Sequence, residues 1–379
     1  VATERERLVA GELGLRSDLL YLNHAAVAPW PQRTRRAVER FAQENVTTGA
    51  LHYPRWVETE TRLRQRLAVL IGAPSPDEIA LLKNTSEGLS VIAWGLPWRA
   101  GDNIVSSDEE FPSNRIVWES LRDRGVELRQ VHLDRADPER ALLEGMDENT
   151  RLLAISSVQY ASGLRLDLQR LGERCRSQGV LFCVDGIQSV GALCTDVQRD
   201  HIDFLVADGH KWMLGPEGVA LFYCRAELRD RLRLHQYGWH MVEQHQDYEL
   251  REWQVAASAR RFECGSPNML GIHALEASLS LLQEYGMAAV EEKVLENGRF
   301  LLDAIGELDR YELLTPMEKS RHAGIVTFRH RHLPSEELYR RLTRERVICA
   351  LRGGGIRLSP HFHTGRAVLE RVVSLLAEW

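Results

Sequence analysis

The stretch Val180-Leu-Phe-Cys-Val-Asp-Gly-Ile-Gln188, taken up again at Asp203-Phe-Leu-Val-Ala-Asp-Gly-His-Lys-Trp212, decides how this chain folds. Each half is an apolar run of strand length that stops at an aspartate and a glycine. Side chains that are apolar at successive positions, rather than alternate ones, belong to strands with helices on both faces. Outward from this pair the same unit recurs. Strands are predicted at 78–83, 103–107, 126–131, 151–158 and 218–224, and helices at 85–96, 112–124, 138–145 and 167–178. The last helix is stopped by Gly179, a residue suited to a left-handed helix cap. Strands alternating with helices imply a largely parallel sheet joined by right-handed crossovers.

Past residue 268 the character changes. Two long helical stretches, 268–285 and 287–309, lead into segments AGIVTF, RVICAL and GIRLS that read as strands, with helices at 335–345 and 365–378. The expected organisation is a large α/β domain over 15–260 and a smaller α+β domain over 261–379 that also takes in residues 1–14.

The chain has 379 residues with 48 basic and 54 acidic side chains, a formal charge of −6; 44% of residues are apolar and 27% charged. That is a globular balance, and its mild acidity argues against sequence-independent nucleic-acid binding, which needs clustered positive charge. No apolar run approaches the roughly 20 residues that cross a bilayer, and the first residues lack the apolar block of a secretory signal. Six cysteines, at 175, 183, 194, 224, 264 and 349, show no C-x-x-C pair, so a reduced, cytoplasmic protein is expected. Only four of the 48 basic residues are lysines: Lys83, Lys211, Lys293 and Lys319. Chemistry that needs an amine nucleophile has four candidates.

Open α/β sheets bind ligands at the carboxyl ends of their strands. One such end runs into Asn84-Thr-Ser-Glu-Gly88 and a helix, a start that can hold a phosphate with hydroxyls, free N–H groups and the helix dipole, or can be an ordinary cap. No G-x-x-x-x-G-K-[ST] occurs, so it is not a nucleotide P-loop. A second end is Asp185, costly in an apolar setting unless it meets a cation or donor. A third is Asp208-Gly-His-Lys211, in which Lys211 sits between two buried strands. Lys293 and Lys319 lie in polar segments, and Lys83, at a strand end, is the one serious rival. A phosphate-binding helix start, a strand-terminal Asp and a secluded Lys are together what pyridoxal 5′-phosphate requires. The lysine forms a Schiff base with its aldehyde, and the aspartate keeps the ring nitrogen protonated as an electron sink.

With Tyr21-Leu-Asn-His-Ala-Ala26, Glu109-Glu-Phe-Pro-Ser-Asn114, Arg261-Phe-Glu-Cys-Gly-Ser-Pro-Asn268 and Ile356-Arg-Leu-Ser359 added in order, nearly the whole chain resembles the class V, cysteine desulfurase-like aminotransferases. These are fold-type I pyridoxal-phosphate enzymes. The resemblance implies that Lys211 is the Schiff-base lysine and proton shuttle and that Asp185 holds the pyridine nitrogen. Gln188, with Gln159 as a second candidate, would lie near the phenolic oxygen; Thr85, Ser86 and His210 would bind the phosphate. Gly265 and Ser266 would reach the phosphate of a second subunit, which implies a homodimer. Arg357 would clamp the substrate carboxylate, a task for a planar guanidinium. His24 and His361 are candidates for the substrate pocket. His361 with His363 gives no third ligand, and no metal is expected.

Departures from the family pattern matter. Phe111 stands where many relatives stack a His, so it keeps the stacking and loses the proton exchange. The segment Leu351-Arg-Gly-Gly-Gly-Ile-Arg357 is short and lacks the nucleophilic Cys of desulfurases; Cys349 reads as a buried structural thiol. Asp208 replaces a phosphate-binding Ser, and is expected to turn away or to contact a backbone amide. The expectation is therefore an enzyme working at the α-carbon of an amino acid, with amino transfer to a 2-oxo acid ahead of epimerisation and of a C–S lyase or desulfurase reaction. The N-terminal motif is closer to the isopenicillin N epimerase-like branch. A catalytically silent scaffold keeping the fold is the alternative of a different class.

Overall fold

The computed structural model describes residues 4–379. Its central sheet has seven strands in the spatial order Ile79–Leu82, Ala220–Cys224, Phe204–Asp208, Leu181–Asp185, Thr150–Ser156, Asn103–Ser107 and Glu127–Val131. All seven fall on predicted strands. Ala220–Cys224 runs against both neighbours, and every other pairing is parallel. The apolar runs are explained by burial on both faces. Leu152 and Ala154 pack with Cys183, Phe204, Val206 and Phe222 on one side, beneath the helices Thr85–Gly95 and Ser113–Glu119. Leu153 and Ile155 pack with Phe182, Val184 and Leu205 on the other. These side chains are almost fully buried, and each leucine, isoleucine, valine and phenylalanine among them contributes about 1.5–3 kcal/mol relative to exposure.

A four-stranded antiparallel sheet, ordered Ala350–Arg352, Gly355–Leu358, Val326–His330 and Tyr311–Leu313, makes the second unit. The helices Met287–Gly306, Ser335–Arg344 and Arg366–Glu378 cover it, through Leu301, Leu342, Leu369 and their neighbours.

The boundaries differ from those expected. Helix Met269–Tyr285 falls within the residues expected in the small domain, yet Ile272, Leu275, Leu279 and Leu282 join the core of the large one. The large core also takes in Ala289, Val290 and Val294 of the following helix, and only its far end, with Leu301, Leu302 and Ile305, packs in the small core. Residues expected to join it from the N-terminus do the opposite: Leu8, Val9 and Leu13 pack on the large core, and Glu12 accepts hydrogen bonds from Arg33 and Arg36. The part of the N-terminal segment that does belong to the small domain is Leu20–Tyr21, paired in parallel with Val347–Ile348 and followed by buried Leu22.

One seam between the two units runs along a single loop. The Tyr160 carbonyl accepts from Arg357, the Ala161 carbonyl from Thr327 and the Ser162 carbonyl from Thr315, while Arg165 N–H donates to the Arg321 carbonyl. At Gly163, with φ +72°, any Cβ would lie 2.6 Å from the Ile325 carbonyl, so only glycine lets the two backbones close. The strand ends carrying Asp185 and Asp208 open beside this seam.

Candidate active site

Lys211 follows the strand Phe204–Asp208 by three residues, in a turn held at Gly209 by the Val219 carbonyl and at Leu214 by the carbonyl of Lys211 itself. Burial pushes its amine down to about 8; Asp185 opposes that shift, and Arg357 adds to it. The ammonium lies 5.8 Å from the ring centroid of Phe111, whose ring is 43% exposed and meets Tyr160 edge to face. Of the other lysines, Lys83 pairs with Glu87 at the surface, Lys293 pairs with Glu296, and Lys319 is exposed. Lys211 alone of the four is secluded.

Asp185 ends its strand buried, accepting the Ile187 N–H at 3.0 Å. Burial raises its carboxyl to about 7, Glu110 adds to the rise, and Lys211 opposes it. Glu110, inside the motif at 109–114, is a residue to which motif reading gives no role. It is 6% exposed and accepts from Ser156 N–H and Oγ, Gln159 Nε2 and Asn114 Nδ2 at 2.5–2.9 Å. Four donors converging on one buried carboxylate tie the helix Ser113–Glu119 to the strand Thr150–Ser156. Burial nonetheless raises its pKa, with the four donors opposing.

On the other side of Asp208, Asn84 caps the helix Thr85–Gly95 by accepting the Glu87 N–H. Gly88 lies so close to the sheet that a Cβ would sit 2.7 Å from Val206. Buried Thr85 Oγ1 has no hydrogen-bond partner, nor has His210 Nδ1, which stands 3.7 Å from Asp208. Burial lowers the His210 imidazole to about 4, so it is neutral at physiological pH. Ser86 shares a hydrogen bond with Ser113 at 3.0 Å. Asp208 accepts the Thr85 backbone N–H at 2.9 Å, the amide contact expected of it. Buried polar atoms without partners are costly in a folded chain, and here they lie at a helix start where an anion would satisfy them.

The two glutamines divide. Gln188 is engaged at both ends, donating to the Ala25 carbonyl and accepting from Trp212 Nε1. Its amide braces the N-terminal segment against the lysine turn. Gln159 keeps its carbonyl oxygen buried and unpartnered. Arg357, on Gly355–Leu358, is 3% exposed. Its Nη1 donates to the Tyr160 carbonyl at 2.8 Å and its Nε has no partner. Burial lowers its pKa to about 10, and the charged neighbour that adds most to this is another cation, Arg352. A buried guanidinium without a carboxylate is unfavourable until an anion arrives.

Two expectations are corrected. His24 and His361, expected to line the substrate pocket, form a packed cluster with His363 behind Trp212. His361 is fully buried, with Nδ1 accepting the Phe362 N–H and Nε2 on the Trp212 carbonyl. His24 meets the Ser359 carbonyl and His363. Burial lowers the His24 imidazole to about 4 and that of His361 to about 3. Both rings have their nitrogens occupied by the protein, so neither has an atom left for a substrate. Gly265 and Ser266 line a separate groove with Lys83, Glu87 and Asn268.

Residues 20–364 match the family model described as aminotransferase class-V. A protein of Methanothermobacter thermautotrophicus named probable cysteine desulfurase is 30% identical over 354 residues, 91% of this chain and 86% of that protein. The apo structure of a cysteine desulfurase from Thermococcus onnurineus superposes with a TM-score of 0.90 at 24% identity, covering 100% of this chain and 98% of that one. A complex of the cystine C–S lyase C-DES with its product cysteine persulfide gives 0.89 at 23%, covering 96% and 98%.

Proposed function

Because this chain belongs to the class V aminotransferase family, fold-type I enzymes that use pyridoxal 5′-phosphate, we propose that Lys211 carries the cofactor and works at the α-carbon of an amino acid. One observation carries this reading: a secluded amine depressed to about 8 has a buried aspartate and a buried guanidinium, the latter without a carboxylate partner among the described residues, as its leading charged neighbours. The residues fit the cofactor. Thr85, Ser86 and His210 would hold its phosphate and Asp185 its ring nitrogen; Phe111 would cover the ring, with Gln159 ahead of Gln188 beside the phenolic oxygen. Once bound, the cofactor accepts electrons from the α-carbon and so acidifies the α-proton. Arg357 holds the substrate carboxylate by two parallel hydrogen bonds. Lys211, with a fraction of its amine uncharged near neutral pH, takes the α-proton as general base.

Among outcomes at that carbon, loss of a β-sulfur substituent has the stronger support, since relatives are named cysteine desulfurase and a solved neighbour is a C–S lyase. The sulfur would leave without passing to an enzyme thiol. Cys349 is 5% exposed in the small-domain core, and burial pushes its thiol up to about 12. Amino transfer is the second reading, favoured by Phe111. With no acid in that ring to protonate a departing sulfur, Lys211 is left as the proton carrier, and it can redeliver the proton in transamination. Two further properties belong to the proposal. The segment with exposed Tyr237, Tyr248 and Trp253 would seat a second copy of the chain, and six unpaired cysteines suit a reducing cytoplasm. No helix among the described residues is long and apolar enough to cross a membrane.

The test is to load the protein with the cofactor and follow products from L-cysteine, L-cystine and a panel of other amino acids. Sulfide or persulfide with pyruvate supports the lyase; an amino group appearing on an added 2-oxo acid supports transfer. A protein that develops no visible band with the cofactor, or keeps that band in Lys211→Ala, defeats both.

A further inference from the structure

Resting on the reading of Lys211 and Arg357 just given, we propose that the amino-acid substrate carries a second carboxylate, held at the mouth of the pocket by Arg352. The register of one hairpin makes the case. Strands Ala350–Arg352 and Gly355–Leu358 pair antiparallel with Ala350 opposite Arg357 and Arg352 opposite Gly355. Directly opposed residues share a face, as do residues two apart on one strand. Arg352 and Arg357 therefore project from the same face, on diagonal positions whose backbones are about 7–8 Å apart.

The turn fixes this geometry. Gly353 and Gly354 have φ +60° and +76°, the left-handed pair of a tight hairpin, and a Cβ on Gly353 would lie 3.1 Å from Ala161 Cβ. The same loop supplies the Tyr160 carbonyl to Arg357. The turn that carries Arg352 is thus seated against the loop that anchors the inner arginine, and both guanidinium charges act on Lys211.

Electrostatics points the same way. Among the described residues, neither guanidinium has a carboxylate partner: Arg357 donates to the Tyr160 carbonyl and Arg352 to the Leu351 carbonyl. Both act on the Lys211 amine, where Asp185 and Asp208 are the opposing charges. Each aspartate already accepts a backbone N–H, from Ile187 and Thr85 respectively. Two like charges on one face, one buried and one exposed, repel each other unless anions come between them. A single carboxylate satisfies Arg357 and leaves Arg352 unmatched. A dicarboxylic amino acid satisfies both, its α-carboxylate inside and its second carboxylate at the rim. Acids of aspartate or glutamate size and longer sulfur-linked diacids such as cystine share this chemistry.

The test uses the cofactor-loaded protein and reads the concentration of ligand that half-saturates the change in its visible spectrum, which needs no turnover. L-Glutamate is compared with its neutral isostere L-glutamine, L-aspartate with L-asparagine, and L-cystine with L-cysteine. At least one acid should half-saturate at a concentration about tenfold or more below its neutral partner, a factor worth about 1.4 kcal/mol. Arg352→Gln should erase that preference while leaving the neutral amino acids unchanged, and Arg352→Lys should restore part of it. Which acid shows the preference distinguishes the compact from the sulfur-linked class. Equal half-saturation within all three pairs, or an Arg352→Gln variant that weakens acid and neutral ligands alike, overturns the proposal and leaves the cofactor reading standing. A protein that takes up no cofactor overturns both.

Discussion

Asp208 occupies the first N–H of the helix whose free hydroxyl and neighbouring imidazole await an anion. Burial raises its carboxyl to about 6 against the pull of the Thr85 N–H. A carboxyl with a raised folded pKa favours the protonated state, so the stability it contributes is full below the unfolded value of 3.8 and is lost as pH rises through about 6. Above that pH an ionised Asp208 would repel a phosphate held by Thr85 and His210, its own neighbours. Ionisation of Asp208 should therefore weaken pyridoxal 5′-phosphate binding between pH 5 and 8, against the gain from a Lys211 amine that becomes uncharged towards about 8. The phosphate itself titrates near pH ~6, so the comparison with Asp208→Asn in an absorbance titration isolates the residue: the advantage of the variant over the unaltered protein should grow from pH 5 to pH 8. Arg357→Leu belongs to the same scale. It should raise the amino-acid KM by a factor on the order of 30, equivalent to about 2 kcal/mol, with cofactor affinity nearly unchanged. Removal of an unpaired buried charge should also leave chemical denaturation no easier, and stability higher by about 1 kcal/mol. Lys211, Asp185 and Thr85 are legible in the sequence because strand ends limit where chemistry can sit and lysine is scarce. His24 and His361 mislead because a sequence displays an imidazole but not the Ser359 and Trp212 carbonyls that occupy it.

Glu110 links elements more than it marks a site, and nothing about its place beside Glu109 announces burial. In Glu110→Ala, four donors from the helix Ser113–Glu119, the strand Thr150–Ser156 and Gln159 lose their common acceptor. Urea unfolding should show a loss of about 2–4 kcal/mol. Glu110→Gln, which keeps one acceptor oxygen, should lose less. The helix Gln32–Thr48 has another kind of invisibility. Only Thr34 and Ala37 are buried along it, and it docks on Met269–Tyr285 through a 2.6 Å Thr34–Ser278 hydroxyl contact. Phe41, packed on Trp56 and His273, is its one large apolar contact among the described residues, too little for a continuous apolar stripe. Tyr53–Ile71 does carry one, in Trp56, Leu63, Leu67 and Ile71, and is lost to a reading that starts from strand alternation. The parallel strands were plain because double-sided burial demands an unbroken apolar run.

At the scale of the whole molecule, a helix reveals its apolar face but not which core receives it; Met269–Tyr285 fits either until Leu275 and Leu279 are seen in the large core. The groove holding Gly265 and Ser266 raises the last question, whether this loop serves its own chain or a second copy. A Cβ at Gly265 meets nothing of its own chain within 4 Å, so Gly265→Arg should leave the subunit folded and act only on what docks there. Two inactive forms, Lys211→Ala and Gly265→Arg, are then co-expressed. In a hybrid dimer the intact Lys211 of one subunit meets the intact loop of the other, and one of its two sites is complete. Random pairing makes half of the dimers hybrids, so activity should return to about a quarter of that of the unaltered protein in a closed two-fold assembly. If the loop serves its own subunit, every site in the hybrid lacks either the lysine or the glycine, and the mixture stays inactive. Light scattering of each single variant, with both remaining dimeric, separates that outcome from a failure to assemble.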